Sequence, residues 1–187
     1  AFSEVLVSPA IMQAMDNLGI AQYLTRLGLL LDEPEVLDAA KAQWMTGQAW
    51  QPMRHMIEDS FVIRDFMEIF LVQNFVFDGL LYPLIYDRFV DDTLTVQGGS
   101  AVAMLTSFMP TWFGQSSKWV DGVLKVAVAE SEQNKALISQ WTTTWRDRAV
   151  TALKPIAALA FGNNQETMLN EVIEQFNARA KKLGIAA

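Results

Sequence analysis

The sequence has no cysteine and a single histidine, His55. The first absence excludes disulfides, thiolate metal sites and a cysteine nucleophile, and it fits a cytoplasmic protein. The second means that any serine–histidine–acid hydrolysis would have to use His55, and the G-x-S-x-G turn of such enzymes is missing. A glycine-rich phosphate loop is also missing: "GGS" at 98–100 is not followed by the lysine–hydroxyl pair of a P-loop and reads as a turn. Charge is scarce, at 19% of residues against about 25% in an average soluble domain. The net charge of −7 argues against nucleic acid, which needs clustered lysine and arginine to displace counterions. Residues 1–15 lack the basic start and unbroken apolar run of a signal peptide.

What the chain does have is apolar surface. Half of its 187 residues are hydrophobic, including eleven Phe and six Trp. The length suits one domain over residues 1–187. The composition is too apolar for an isolated monomer, and a chain that buries area against permanent partners is the simplest reading. The best membrane candidate, "IFLVQNFVFDGLLYPLIY" (69–86), contains Gln73, Asn74, Asp78 and Pro83. An aspartate at mid-bilayer costs roughly 2.5–3.5 kcal/mol, so this segment reads as a buried helix. The chain opens on Ala1 and Phe2 without a methionine and enters a helical pattern at once, which fits one piece of a longer polypeptide.

Helical spacing runs through every patterned segment, and the expected fold is all-α. A first helix is predicted over 3–27, with Val5, Ile11, Met12, Met15, Leu18, Tyr23 and Leu27 as its apolar face. A second is predicted over 34–47, started by Asp32 or Glu33 ahead of Pro34 and stopped at Gly47. A long central helix follows over 52–88, then a loop, "DDTLTVQGGS" (91–100). Residues 101–132 form a helix expected to kink or unwind near Pro110 and Gly114. Residues 134–161 end at Gly162, and a last amphipathic helix spans 164–183.

The chemistry concentrates in "MRHMIEDSFVIRDFMEIF" (53–70). On one continuous helix, Arg54, His55, Glu58, Asp65 and Glu68 share a polar strip on an otherwise apolar cylinder. Buried charges must be paired, bound to metal or neutralised. A carboxylate-bridged di-iron site in a four-helix bundle takes a Glu from each of two helices and Glu-x-x-His from each of the other two. Three residues before His55 stands Pro52, so no Glu-x-x-His exists, and one histidine cannot serve two irons. The strip therefore reads as a buried structural network, with no catalytic, cofactor-binding or metal-binding residue assigned.

The segment "WQPMRHMIEDSFVIRDFMEIFLVQNFVFDGLLYPLIYDRF" (50–89) resembles the β subunit of the hydroxylase component of bacterial multicomponent monooxygenases, most closely the phenol hydroxylases. "LVSPAIMQAMDNLGIAQYLTRLGLLLDE" (6–33) and "AVAESEQNKALISQWTTTWRDRA" (127–149) extend the likeness over most of the chain. The resemblance implies a ferritin-like helical bundle that has lost the di-iron ligands. It also implies a catalytic α subunit carrying the di-iron centre, a small γ subunit in an α2β2γ2 assembly, and a reductase and regulatory protein acting on it. This chain would be the C-terminal part of a non-catalytic β subunit of an aromatic monooxygenase. In "ESEQNK" (130–135), Asn134 and Lys135 stand where a histidine ligand would be sought. The rivals are a catalytic ferritin-like oxygenase, which the missing motif opposes, and a stand-alone helical ligand-binding protein.

One further stretch invites a role. "FMPTWFGQSSKW" (108–119) places Trp112, Phe113 and Trp119 on a helix containing Pro110 and Gly114. These aromatics either dock a partner subunit or pack within their own chain.

Overall fold

The computed structural model describes residues 3–31 and 34–186. All secondary structure among the described residues is helical. The sequence reads as one domain, whereas the helices group into two compact units, the first ending at Gly47 and the second starting at Gln48.

The first unit is a helix pair. Helix α1 runs Glu4–Leu31, with Pro9 in its opening turns, and α2 runs Glu35–Thr46. They approach closely at Gly28, where an added Cβ would lie 3.3 Å from Leu37 Cδ2. Gly47 ends α2 by leaving the helix with extended backbone while its N–H still reaches Gln43 O at 2.7 Å. Of the seven residues expected to form the apolar face of α1, Leu27 is buried, while Val5, Ile11, Met12, Met15 and Leu18 are exposed. The starting role assigned to Asp32 or Glu33 falls outside the described residues.

The second unit is built around one helix. Helix α3 is short, Gln51–Ser60. The central helix α4 then runs Phe66–Leu94. It is followed by α5 (Ser100–Thr106), α6 (Phe108–Glu130), α7 (Glu132–Phe161) and α8 (Gln165–Lys182). Helix α4 packs on α6, α7 and α8, and α3 lies on α7. The core is therefore the side chains of α4 and those that meet them: Phe75, Leu80 and Leu84 against Met109, Leu124, Leu153 and Phe176, all 2% exposed or less. Each large apolar side chain removed from water contributes about 1.5–3 kcal/mol. Helix α4 is long and apolar enough to cross a membrane; here it is the middle of a packed bundle.

Three boundaries differ from the sequence reading, each for a local reason. The predicted helix over 52–88 is two helices. Asp65 has extended backbone, and its Oδ1 accepts hydrogen bonds from the N–H groups of Met67 (2.8 Å) and Glu68 (3.2 Å), which starts a new helix there. The loop expected at 91–100 shrinks to the turn at 95–99, because α4 continues to Leu94 and Gly98 supplies the left-handed residue, with φ 97°. The break expected at Pro110 and Gly114 lies at Ser107 instead. Pro110 falls in the first turn of α6, where its missing N–H would have had no helical partner, and α6 runs unbroken through Gly114. The end of α7 at Gly162 is as the sequence indicates, with φ 53°.

Helix α4 is also not a uniform α-helix. Leu71–Phe77 and Pro83–Leu94 are π-helical. In these wider turns the bonds reach back five residues: Asp78 N–H to Gln73 O, and Thr95 N–H to Val90 O. Side chains add to the satisfaction of the carbonyls. Asn74 Nδ2 donates to Phe70 O (3.0 Å), and the hydroxyls of Thr93 and Thr95 donate to Arg88 O (2.8 Å) and Val90 O (3.0 Å). Pro83 opens the second π stretch, where the wider turn accommodates a ring that has no N–H to give.

Candidate functional site

The five residues expected to share one buried strip are separated by the break before α4, and most of them face outward. Arg54 Nε and Glu58 Oε1 pair at 2.7 Å along α3, with side chains 23% and 49% exposed. His55 is exposed on the next face of α3. Asp65 is the exposed cap described above. Glu68 is the half-buried member, and its Oε1 accepts a 2.9 Å hydrogen bond from Trp145 Nε1 on α7. The expected buried network is thus a surface ion pair, a helix cap and a cross-helix bond. The residues do not share one face because the helix stops at Ser60 and a new one starts at Phe66.

The α3–α7 seam has its own chemistry. Arg148 pairs with Asp59 on α3, and its guanidinium carbon lies 4.3 Å from the ring centre of Trp145. An open cleft of about 390 Å³ lies along this seam. Pro52, His55 and Met56 line it from one side and Asp147, Arg148 and Thr151 from the other. Arg146 and Asp147 pair at 2.8 Å beside it.

The residues present do not fit a di-iron site. Among the described residues no group of three or more His, Cys, Asp and Glu side chains is arranged to hold a metal ion. The acids that could serve are engaged elsewhere, Glu58 by Arg54 and Glu68 by Trp145. "ESEQNK" is a junction between helices and not the middle of a bundle helix. Ser131 is extended (φ −160°, ψ 155°), its Oγ accepts from Asn134 N–H, and Lys135 pairs with Glu132 at 3.6 Å.

Trp112, Phe113 and Trp119 each find a ring within their own chain. Tyr82 of α4 stacks on Phe113 (5.2 Å, 11°) and packs on Trp112 (5.4 Å), and Phe70 meets Trp119 edge-on at 5.2 Å. All three remain half-buried. Burial, with Asp78 and Tyr86 adding to it, raises the Tyr82 phenol well above its ordinary range.

The most buried carboxylate among the described residues is one whose apparent role in the sequence was only to oppose membrane insertion. Asp78 is 4% exposed. Its Oδ1 accepts from Gln73 Nε2 at 3.3 Å, a pairing set by the π turn between them. Arg179 of α8 reaches in from the other side. It holds Asp121 of α6 through Nε (2.8 Å) and Nη2 (2.7 Å), and its guanidinium lies over the rings of Phe75 (4.8 Å) and Phe113 (5.8 Å). Burial pushes the Asp78 carboxyl up to about 7, against the opposing pull of the Gln73 hydrogen bond and the Arg179 charge. Burial outweighs both, because the charged form loses its hydration in the core, while the hydrogen bonds of Arg179 go to Asp121. An aspartate and a glutamine spaced five apart in an apolar run was the available signal.

The fold has a counterpart among solved structures. A crystal structure of xenon-pressurized phenol hydroxylase from Pseudomonas sp. OX1 superposes with a TM-score of 0.86 at 41% identity, over 92% of this chain and 52% of the other. The sequence profile of the methane/phenol/alkene hydroxylases matches residues 1–131. The chain belongs to that family. Among hydroxylase relatives, the phenol 2-monooxygenase oxygenase component DmpL of Pseudomonas sp. (strain CF600) is 50% identical over 94% of this chain. The corresponding component MhpL of Acinetobacter pittii (strain PHEA-2) is 39% identical over 98%. A more distant one, the small subunit of the propane 2-monooxygenase hydroxylase component of Mycolicibacterium goodii, is 22% identical over 78%. The chain spans about half the length of these relatives, 52%, 55% and 42% respectively.

Proposed function

We propose that this chain is part of the non-catalytic β subunit of a bacterial phenol monooxygenase hydroxylase. The observation that carries the reading is the state of its acids. In a fold like that of phenol hydroxylase, Glu58, Asp65 and Glu68 are used by an arginine, a helix start and an indole, and the single histidine, His55, lies exposed on α3. The di-iron centre then belongs to a partner α subunit, which hydroxylates the aromatic ring with O₂ and electrons from a reductase. The assembly is α2β2γ2 in the cytoplasm, under a regulatory protein. The task of this chain is mechanical, since catalytic ligands keep their geometry only when the surrounding shell is rigid.

The test is co-expression of the full-length polypeptide with the genes beside its own. The expected result is a hetero-oligomer that copurifies, with all iron removed when the α subunit is omitted. Two irons in this polypeptide alone, or a stable monomer that captures no partner, would overturn the proposal.

A further inference from the structure

Three buried polar atoms, on three helices that meet at Arg179, have no hydrogen-bond partner in the protein. They are Asp78 Oδ2 of α4, Ser117 Oγ of α6 and Arg179 Nη1 of α8, each shielded from solvent. Buried polar groups are nearly always satisfied, and leaving one unpaired is costly. Three in one core would be a heavy penalty.

Arg179 links the three helices. Its Nη2 reaches Ser117 O at 3.5 Å, which sets the guanidinium beside the Ser117 turn of α6. Its Nη1 lies against α4 at Gly79, the residue after Asp78, where an added Cβ would be 3.2 Å away. The other nitrogens are taken by Asp121, so Nη1 is the donor left facing α4. The set is chemically complementary: a guanidinium N–H that only donates, a carboxyl oxygen, and a hydroxyl that can do either.

We propose that Asp78 Oδ2, Ser117 Oγ and Arg179 Nη1 bind one internal water molecule, which completes a polar joint between α4, α6 and α8. Buried waters make about three hydrogen bonds to groups that lack protein partners, which is the number available here. A cation is disfavoured by the guanidinium and an anion by the carboxyl group, whereas water can both accept from Arg179 and donate to Asp78. Gly79 keeps the approach open, and Asp121 fixes the guanidinium so that the third donor keeps its direction.

The deciding experiment is a high-resolution crystal structure of the full-length protein in its native assembly, with Ser117→Val alongside. The expected result is one water peak within about 2.7–3.2 Å of all three atoms, lost in Ser117→Val, whose methyl groups occupy its place. A dry node, with Nη1 bonded directly to Asp78, would overturn the proposal. So would a peak that survives unchanged in Ser117→Val. If that variant does not assemble, Ser117→Ala serves: the peak must then shift or weaken, and an unmoved, fully occupied peak counts against the site.

Discussion

Trp145 and Glu68 lie 77 residues apart in sequence and are joined by a 2.9 Å hydrogen bond from the indole N–H to the carboxylate. It ties the first turn of α4 to the middle of α7, with Trp145 only 5% exposed. Hydrogen bonds to charged groups contribute about 1.5–3 kcal/mol. Trp145→Phe is expected to lower stability by about that amount in denaturant unfolding of the full-length protein. Glu68→Gln keeps an acceptor and is expected to lose less. A loss in Trp145→Phe that persists in the Glu68→Ala background, where the bond is already absent, would mean that packing of the ring, and not the bond, is what matters.

Asp65 starts α4 through its side chain. Asp65→Ala is expected to cost about 0.5–2 kcal/mol, and Asp65→Asn markedly less, because the amide oxygen can still cap. Hydrogen exchange localises the effect: amides of Met67 and Glu68 are expected to exchange faster, while those around Leu153 on α7 stay protected.

Asp78 makes stability depend on pH. Its carboxyl is raised from 3.8 to about 7 in the folded chain, so the native state binds its proton more tightly than the unfolded state does. Stability from this group is therefore fully present below about 3.8, falls as pH rises through 7, and is flat above that. Asp78→Asn keeps the shape without the titration. Its Tm relative to the parent is expected to improve between pH 5 and 8, by the equivalent of roughly a few kcal/mol at the upper end. A constant difference across that range would show that Asp78 titrates normally.

Glu58 is expected to matter little to the fold. Its pair with Arg54 is half-exposed on α3, and such pairs are worth about 0–1 kcal/mol. Glu58→Ala should leave the Tm of the full-length subunit within a degree or two. If it lowers the yield of the assembled hydroxylase without changing that Tm, the residue contacts a partner subunit.

These outcomes mark where sequence was a sufficient guide. The all-α class, the Gly162 stop and the stripe on α8 follow from spacing and terminators, which act within a few residues. The break at 61–65 was also local, written as Asp65 followed three residues on by Glu68, a capping pattern. It was masked by the unbroken run of apolar side chains on either side. The Asp78 node was less legible. Its partners, Asp121 and Arg179, are 43 and 101 positions further along, and the π turn that sets Asp78 against Gln73 leaves no mark in a pattern read with an α-helical ruler. The exposure of Val5, Ile11 and Met12 on α1 was not legible either, since spacing within one helix marks an apolar face without recording what packs on it.

The π stretches have a consequence for how α4 can change. A turn closed by an i→i+5 bond carries about one residue more than an α turn. Phe66–Leu94 therefore behaves as a helix with surplus length stored in two places. A single-residue deletion in an ordinary core helix rotates everything beyond it by about 100° and scrambles the packing. Inside Leu71–Phe77 or Pro83–Leu94 the same deletion can be absorbed by tightening a wide turn. The centre of the core, ordinarily the least forgiving part of a fold, here contains its own slack.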